Sequence, residues 1–216
     1  MRIASFDVDP QKGFTELCPD ELPVPGGHLI AAELNAMARR AQLRVGSKDA
    51  HPANALWEVD DPQQMGRHLD LPNADCTWVR HCVPGTPGFE YLDGLPRPGE
   101  YDFLAYKGIE PDCHPYGACY HDLAEQRSTG VIEFLREQGV QAVIVGGLAL
   151  DICVRVTASQ LTAASFLTLL YLPACRALSA SAGRAAAQQL QALGVTICED
   201  GGQLDAALER LAQANQ

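Results

Sequence analysis

The segment Val143–Val156, VIVGGLALDICVRV, decides the fold of this chain and the position of its chemistry. It begins as an apolar run typical of a buried strand, is interrupted at Gly146-Gly147, and resumes as a helix just after Cys153. A cysteine at such a strand-to-helix junction lies near unpaired N–H groups and the positive end of the helix, which favour the thiolate. Cys153 is therefore a candidate nucleophile. The alternative interpretation is an inert cysteine of the core.

Length and composition narrow the class of protein. The 216 residues suit a single domain, 1–216, that can bury a stable core without disulfide bonds or structural metals. The eight cysteines include no C-x-x-C pair and the N-terminus does not resemble a leader, so we expect reduced thiols and a soluble cytoplasmic protein. The net charge of −11 disfavours nucleic acid and membrane partners and suits a small neutral or cationic substrate. The oligomeric state stays open, a homo-oligomer included.

Strand and helix patterns alternate along the chain. This alternation predicts an α/β fold, a three-layer doubly wound and mostly parallel sheet of about six strands with helices on both faces. Besides the central segment, the predicted strands are Arg2–Asp9, Leu43–Gly46, Thr77–Val79, Tyr101–Tyr106, Phe166–Leu172 and Val195–Cys198. The predicted helices are His28–Ala41, Leu123–Gln138, a central helix ending near Ala164, Ala180–Leu193 and Leu204–Ala212, and residues 53–75 are predicted to be irregular.

Reactive side chains follow several of these strands. Asp9 follows the first, Asp49 the second, Lys107 the fourth, and Cys153 the central one. The carboxyl ends of parallel strands meet at one edge of a sheet, where ligands bind. A carboxylate can accept the proton of a thiol, and a buried lysine holds both anions in place. The pattern therefore predicts an acid, lysine and cysteine triad.

A second set of side chains follows the same strand ends. Asp49 and His51 lie two residues apart, and His81 follows the short strand that contains Trp78. Two imidazoles and a carboxylate suit Zn²⁺, Fe²⁺ or Mn²⁺ with open positions for water or substrate. This spacing also arises by chance, and an isolated histidine is more often a surface or satisfied core residue.

These motifs resemble the isochorismatase-like cysteine hydrolases, and among them the nicotinamidases. The resemblance covers almost the whole chain in the family's order. It is carried by Asp9-Pro-Gln11-Lys-Gly-Phe14, Lys48-Asp49-Ala-His51-Pro52, Trp78-Val-Arg-His81-Cys82-Val83-Pro-Gly85-Thr86-Pro87-Gly88, Lys107-Gly108 and Gly147-Leu148-Ala149-Leu-Asp151-Ile-Cys153-Val154. The segment from Trp78 to Gly88 is the most specific of these.

The resemblance implies a role for each of these residues. Cys153 would be the nucleophile, Asp9 the general base and Lys107 the third member of the triad. A cis peptide bond would precede Ala149, whose N–H would form the oxyanion hole with that of Cys153. One divalent transition metal, Zn²⁺ ahead of Fe²⁺ or Mn²⁺, would be held by Asp49, His51 and His81. The aromatic wall around a nicotinamide ring would consist of Phe14, Trp78 and Tyr116.

The chain also departs from the family pattern. Members often carry a further histidine shortly after the one that matches His51, and this chain has none there. His114 is expected to be a solvent-facing loop residue, although an extra group in the pocket is the alternative. Two other functions stay open: a metal-free amidohydrolase of the N-carbamoylsarcosine, maleamate or ureidoacrylate type, and a metal-binding protein without turnover.

Overall fold

The computed structural model describes residues 1–214. Its centre is a six-stranded sheet in which every neighbouring pair is parallel. In spatial order the strands are β10 (Thr196–Cys198), β9 (Leu167–Cys175), β8 (Ala142–Gly147), β1 (Ile3–Val8), β2 (Leu43–Asp49) and β7 (Phe103–Lys107). The predicted α/β class and the predicted parallel sheet are confirmed.

Helices cover both faces of the sheet, as predicted. The helices are α1 (Ala31–Ala38), α2 (Val131–Glu137), α3 (Arg155–Ala163), α4 (Ala180–Ala192) and α5 (Gly201–Ala214). Buried residues of α2, α3 and α4 form one apolar cluster with the sheet, and those of α1 and α5 form the other. In β8, Val143 and Val145 belong to the first cluster, whereas Ala142 and Ile144 belong to the second. This alternation follows from the period of two along a strand and explains why β8 is apolar throughout.

Two predicted elements differ from the structure. The strand predicted at 77–79 exists only as β6 (Trp78–Val79), which pairs with β3 (Glu58–Val59) outside the central sheet. The helix predicted from Leu123 begins eight residues later, at Val131. The Asp122 carboxylate accepts hydrogen bonds from two backbone N–H groups, those of Gln126 and Arg127, and this local bonding competes with helix formation.

The segment 53–75, predicted to be irregular, also contains β4 (His68–Leu71), which forms an antiparallel pair with β5 (Ala74–Cys76). Only Ala74 of this pair is buried. The strands HLDL and ADC alternate between polar and apolar residues, but four and three residues are too few to distinguish this pattern from an irregular segment. No helix within residues 1–214 is both long enough and apolar enough to cross a bilayer.

The order of the strands creates a crevice at the carboxyl end of the sheet. From β1 the chain moves to β2 and β7 on one side and then to β8, β9 and β10 on the other. Ligands of open α/β sheets bind where this order reverses, which here is between β1 and β8. Asp9 directly follows β1, and Cys153 lies in the segment after β8.

Gly147 ends β8 at the point where it lies closest to β1. Its φ is +139°, a conformation that side chains rarely adopt, and an added Cβ would overlap the Val8 carbonyl oxygen. Only glycine therefore lets the chain leave β8 against β1 and turn towards Cys153.

We expect Gly147→Ala to lower the free energy of unfolding by roughly 3 kcal/mol or more, because it combines an unfavourable φ with a backbone clash. The matched control is Gly139→Ala. Gly139 also has a positive φ, +67°, but an added Cβ meets open space there, so the cost should be about 1 kcal/mol. Urea unfolding of the two variants measures the difference. Equal losses would show that the contact with Val8 is unimportant.

Candidate active site

Three strand ends bring Asp9, Lys107 and Cys153 together. The Lys107 Nζ lies 3.1 Å from Asp9 Oδ2 and donates to the Cys153 Sγ at 3.7 Å. All three side chains are buried. The structure thus places the three residues of the predicted triad within reach of one another, around a single ammonium group.

The Asp9 carboxylate is fixed by its neighbours. Ser47, on β2, donates from its hydroxyl to Asp9 Oδ1 at 2.7 Å and accepts the Asp9 N–H at 3.3 Å. The φ of Asp9 is +43°, which is uncommon for a residue other than glycine but tolerated better by aspartate than by most residues. The other carboxylate of this strand, Asp7, faces away and bonds Arg44 and Tyr101, so Asp9 alone of the two reaches the crevice.

Burial and charge determine the protonation of the triad. Burial raises the pKa of Asp9 to about 6, although the Lys107 charge opposes the shift. Burial alone would lower the pKa of Lys107, but the Asp49 and Asp9 carboxylates raise it well above its ordinary value. Burial also raises the pKa of the Cys153 thiol well above its ordinary value, against the opposing Lys107 charge. This shift opposes the thiolate that the strand-to-helix position was expected to favour, because burial outweighs the nearby positive charge, so the cysteine needs a base to become a nucleophile.

The segment that carries Cys153 has the unusual backbone that the resemblance implied. The Leu148–Ala149 peptide bond is cis. A π-helical turn, Leu150–Val154, follows and continues into α3. Both Ala149 and Cys153 line the pocket.

A cluster of three histidines lies beside the triad. Ring nitrogens of His51, His81 and His114 all lie within 4.8 Å of one another, and the three side chains are buried. His51 Nδ1 lies 3.2 Å from the Gly108 carbonyl oxygen, and His81 Nδ1 lies 2.7 Å from that of Val79. Such bonds orient metal-ligating imidazoles and leave Nε2 for the ion. Burial lowers the pKa of His81 to about 3, with a further contribution from His51, so His81 is neutral as a ligand must be.

The expectation for His114 was wrong. Its side chain is 5% exposed and lies between the Trp57 ring, 4.4 Å away in an edge contact, and the Trp78 ring, stacked at 5.4 Å. The backbone holds it there, because its N–H donates to the Asn73 carbonyl. The contacts come from distant segments, so local sequence around His114 carried little signal. The missing family histidine was the one available hint.

Asp49 connects the triad with the histidines. Its Oδ1 accepts a short hydrogen bond from Lys107 Nζ and lies 3.5 Å from His51 Nε2. Gln11 fixes the backbone of Asp49, donating to its carbonyl at 2.9 Å and accepting its N–H at 2.7 Å. Burial alone would raise the pKa of Asp49, but Lys107 and then His51 lower it well below its ordinary value. Asp49 is therefore a permanent anion at the centre of the site.

A small pocket, partly open to solvent, borders Cys153, His81 and His114. Phe14 and Trp78 line it, as predicted for an aromatic wall. Tyr116 lies behind that wall, where its hydroxyl accepts the Trp78 indole N–H at 3.3 Å and donates to Asp75. The sequence did not indicate the other apolar residues of the lining, which are Leu22, Val24, Ile152 and Leu178.

Glu21 anchors the loop that supplies Leu22 and Val24. Its carboxylate accepts the Cys82 N–H at 2.8 Å and fills the space beside Gly13 and Gly88, where any side chain would collide with it. Cys82 directly follows His81. One carboxylate therefore joins the apolar wall of the pocket to the segment that carries a histidine of the cluster.

We expect Glu21→Ala to loosen this loop, because removing the carboxylate leaves the Cys82 N–H without its acceptor and costs about 1–3 kcal/mol. Limited proteolysis within residues 15–25 should become faster. Asp20→Asn, at an exposed neighbouring position, is the matched control and should be cleaved at the original rate. Unchanged cleavage of the Glu21 variant would show that other contacts hold the loop.

Comparison with known proteins agrees with this geometry. The family model described as the isochorismatase domain matches residues 8–200. A nicotinamidase of Acinetobacter baylyi is 28% identical over 194 residues, 87% of this chain and 88% of that protein. Among solved structures, an Acinetobacter baumannii nicotinamidase/pyrazinamidase has a TM-score of 0.82 at 27% identity, covering 95% of this chain and 98% of the other. A Pyrococcus horikoshii pyrazinamidase in complex with zinc has a TM-score of 0.74 at 27% identity, covering 93% and 100%.

The chain belongs to the isochorismatase family, since the family model matches most of its length. Within that family it is similar to nicotinamidases, as the sequence motifs indicated. This similarity confirms the prediction that the chain is an enzyme of the amidohydrolase class.

Proposed function

We propose that this protein hydrolyses nicotinamide to nicotinic acid and ammonia through a thioester on Cys153. The observation that carries the proposal is the buried cluster of Asp9, Lys107 and Cys153, whose cysteine lines a small aromatic-walled pocket together with His81 and His114. A flat heteroaromatic amide suits a pocket lined by Phe14 and Trp78. The similarity to nicotinamidases supports the same substrate class.

In the first half-reaction, the Cys153 sulfur attacks the amide carbon and Asp9 accepts the thiol proton. Asp9 then passes this proton to the departing nitrogen, so the C–N bond breaks, ammonia leaves and a thioester remains. Lys107 stabilises the negative charge on both residues during the transfer. The N–H groups of Ala149 and Cys153 would stabilise the oxyanion that forms on the amide oxygen.

In the second half-reaction, Asp9 removes a proton from a water molecule that attacks the thioester carbon. The C–S bond breaks, nicotinic acid is released, and the proton held by Asp9 returns to the sulfur. The raised pKa of Asp9, about 6, suits a group that accepts and returns a proton near neutral pH.

The donor set next to the triad fits a divalent transition metal. His51 Nε2 is buried and has no hydrogen-bond partner among the described residues, and His51 and His81 are both oriented through Nδ1. With the Asp49 carboxylate, these residues would hold Zn²⁺, ahead of Fe²⁺ or Mn²⁺. When bound, the ion would supply a Lewis-acidic position for the ring nitrogen. The chain's own residues, Phe14 and Trp78, would orient the ring against it.

One experiment separates this proposal from a metal-free amidohydrolase. Ammonia release should be measured with nicotinamide, maleamate and N-carbamoylsarcosine, each with and without a chelator. We expect nicotinamide to be the preferred substrate and chelation to suppress its hydrolysis. Preference for maleamate or N-carbamoylsarcosine, or nicotinamide turnover unaffected by complete metal removal, would favour the metal-free alternative.

Chelation should leave the nucleophile intact, because the ion would position the substrate without generating the thiolate. The alkylation rate of Cys153 by a small reagent, followed by peptide mass spectrometry, should therefore be similar before and after metal removal. A large drop in that rate would assign the ion a part in activating the thiol.

Cys153→Ala should abolish ammonia release while leaving the fold intact, since it removes the sulfur at little change in volume. Asp9→Asn should be nearly as severe, because an amide cannot accept the thiol proton. Ser5→Ala, a buried polar change on the same strand outside the site, is the matched control. Circular dichroism checks each fold. Comparable turnover by a folded Cys153→Ala protein is the result that excludes cysteine catalysis.

A further inference from the structure

We propose that His114 is a third histidine ligand of the metal site, supplied by the loop after β7 in place of the histidine that this chain lacks after His51. The inference rests on the metal site of the proposed function. It adds a third imidazole to the two imidazoles and the Asp49 carboxylate of that site.

The first argument is that the position of the ring is that of a ligand. His114 offers a nitrogen within 4.8 Å of the corresponding nitrogens of His51 and His81. Two ligands at ~2.1 Å from one tetrahedral ion lie ~3.4 Å apart, so side-chain movements of roughly 1 Å would complete the shell. His114 also stacks on His51, with ring centroids 4.9 Å apart and planes inclined by 14°.

The second argument concerns unsatisfied polar atoms. Both nitrogens of His114 are buried, and neither has a hydrogen-bond partner among residues 1–214. His51 Nε2, in the same cluster, is also buried and has no hydrogen-bond partner among residues 1–214. Leaving a buried imidazole without partners costs free energy, whereas one cation at the centre of the cluster would satisfy nitrogens of all three rings together.

A packing role alone does not account for the arrangement. Trp57 and Trp78 contact the His114 ring on two sides, and an aromatic hydrocarbon would fill that space without any unsatisfied atoms. The pocket also borders His114, so a metal ion bound to this ring would face the substrate position.

A third imidazole also supports a site in which Asp49 is shared. Asp49 Oδ1 already accepts the short hydrogen bond from Lys107, and it is 3.5 Å from His51 Nε2. Because the contact with Lys107 weakens this carboxylate as a metal ligand, a further nitrogen donor would hold the ion more firmly.

The test uses metal binding and does not depend on turnover. Wild type, His114→Phe, His114→Gln and the control His68→Phe are stripped of metal and titrated with Zn²⁺ against a chromophoric competitor. Phe keeps the packing against the two tryptophans but removes both nitrogens, and Gln is the second variant should Phe disturb the fold. His68 lies on β4 and is exposed, so its loss controls for removing one histidine.

We expect about tenfold or greater loss of Zn²⁺ affinity in both His114 variants, since loss of even a supporting residue costs ~10-fold to 100-fold, and no loss in His68→Phe. With Co²⁺ in place of Zn²⁺, the visible absorption of wild type should change in His114→Phe, because the number of nitrogen ligands falls. Thermal unfolding of the metal-free proteins checks the fold.

Unchanged Zn²⁺ affinity and an unchanged Co²⁺ spectrum in either folded His114 variant would overturn the inference. So would the absence of Zn²⁺ binding by wild type. These results are distinct from failure of the proposed function, which is read from ammonia release. A wild-type protein that binds Zn²⁺ through His114 but leaves nicotinamide intact would support this site and refute only the proposed substrate.

Discussion

The buried ammonium of Lys107 is the interaction on which the site depends. It lies among two carboxylates and a thiol, all of them buried. A buried ammonium without a partner would lose its proton or move to solvent, and two buried carboxylates without a cation would repel each other. Lys107 makes the combination stable, and each anion in turn keeps Lys107 charged. Removal of one partner would leave an uncompensated charge in the interior, which is far more costly than loss of the pair.

The fold brings these groups together because each follows a parallel strand. Asp9, Asp49 and Lys107 come from three adjacent strands, β1, β2 and β7, and Cys153 comes from the segment after β8 on the other side of β1. Their relative positions are therefore set by the hydrogen-bond register of the sheet. Ser47 and Gln11 refine this placement from the same strand ends. A rigid sheet edge suits chemistry that needs three groups within about 3–4 Å of one another.

The sequence was sufficient for the parts of the site that lie on strands. Buried parallel strands are apolar throughout, helices have their own period, and polar residues at strand ends then share one edge. This reasoning predicted the sheet and the meeting of Asp9, Lys107 and Cys153. It failed for His114, for Glu21 and for the strand at Trp78, because loops and peripheral strands are placed by tertiary contacts. The burial of His114 depends on Trp57, Trp78 and Asn73, which no local pattern connects to it.

The loop from Gly108 to Tyr116 begins at the triad and ends at the aromatic wall. Lys107 donates to the Pro115 carbonyl at 3.3 Å, the residue beside His114, and Gly108 leaves room for His51 where any side chain would collide with it. Asp9, Lys107 and Cys153 lie at or after the carboxyl ends of strands, while the groups that would recognise the ring lie largely on loops. The Asp49 carboxylate and the bond from Lys107 to the Pro115 carbonyl link these two sets of residues, so a substitution in this loop would also reach the triad.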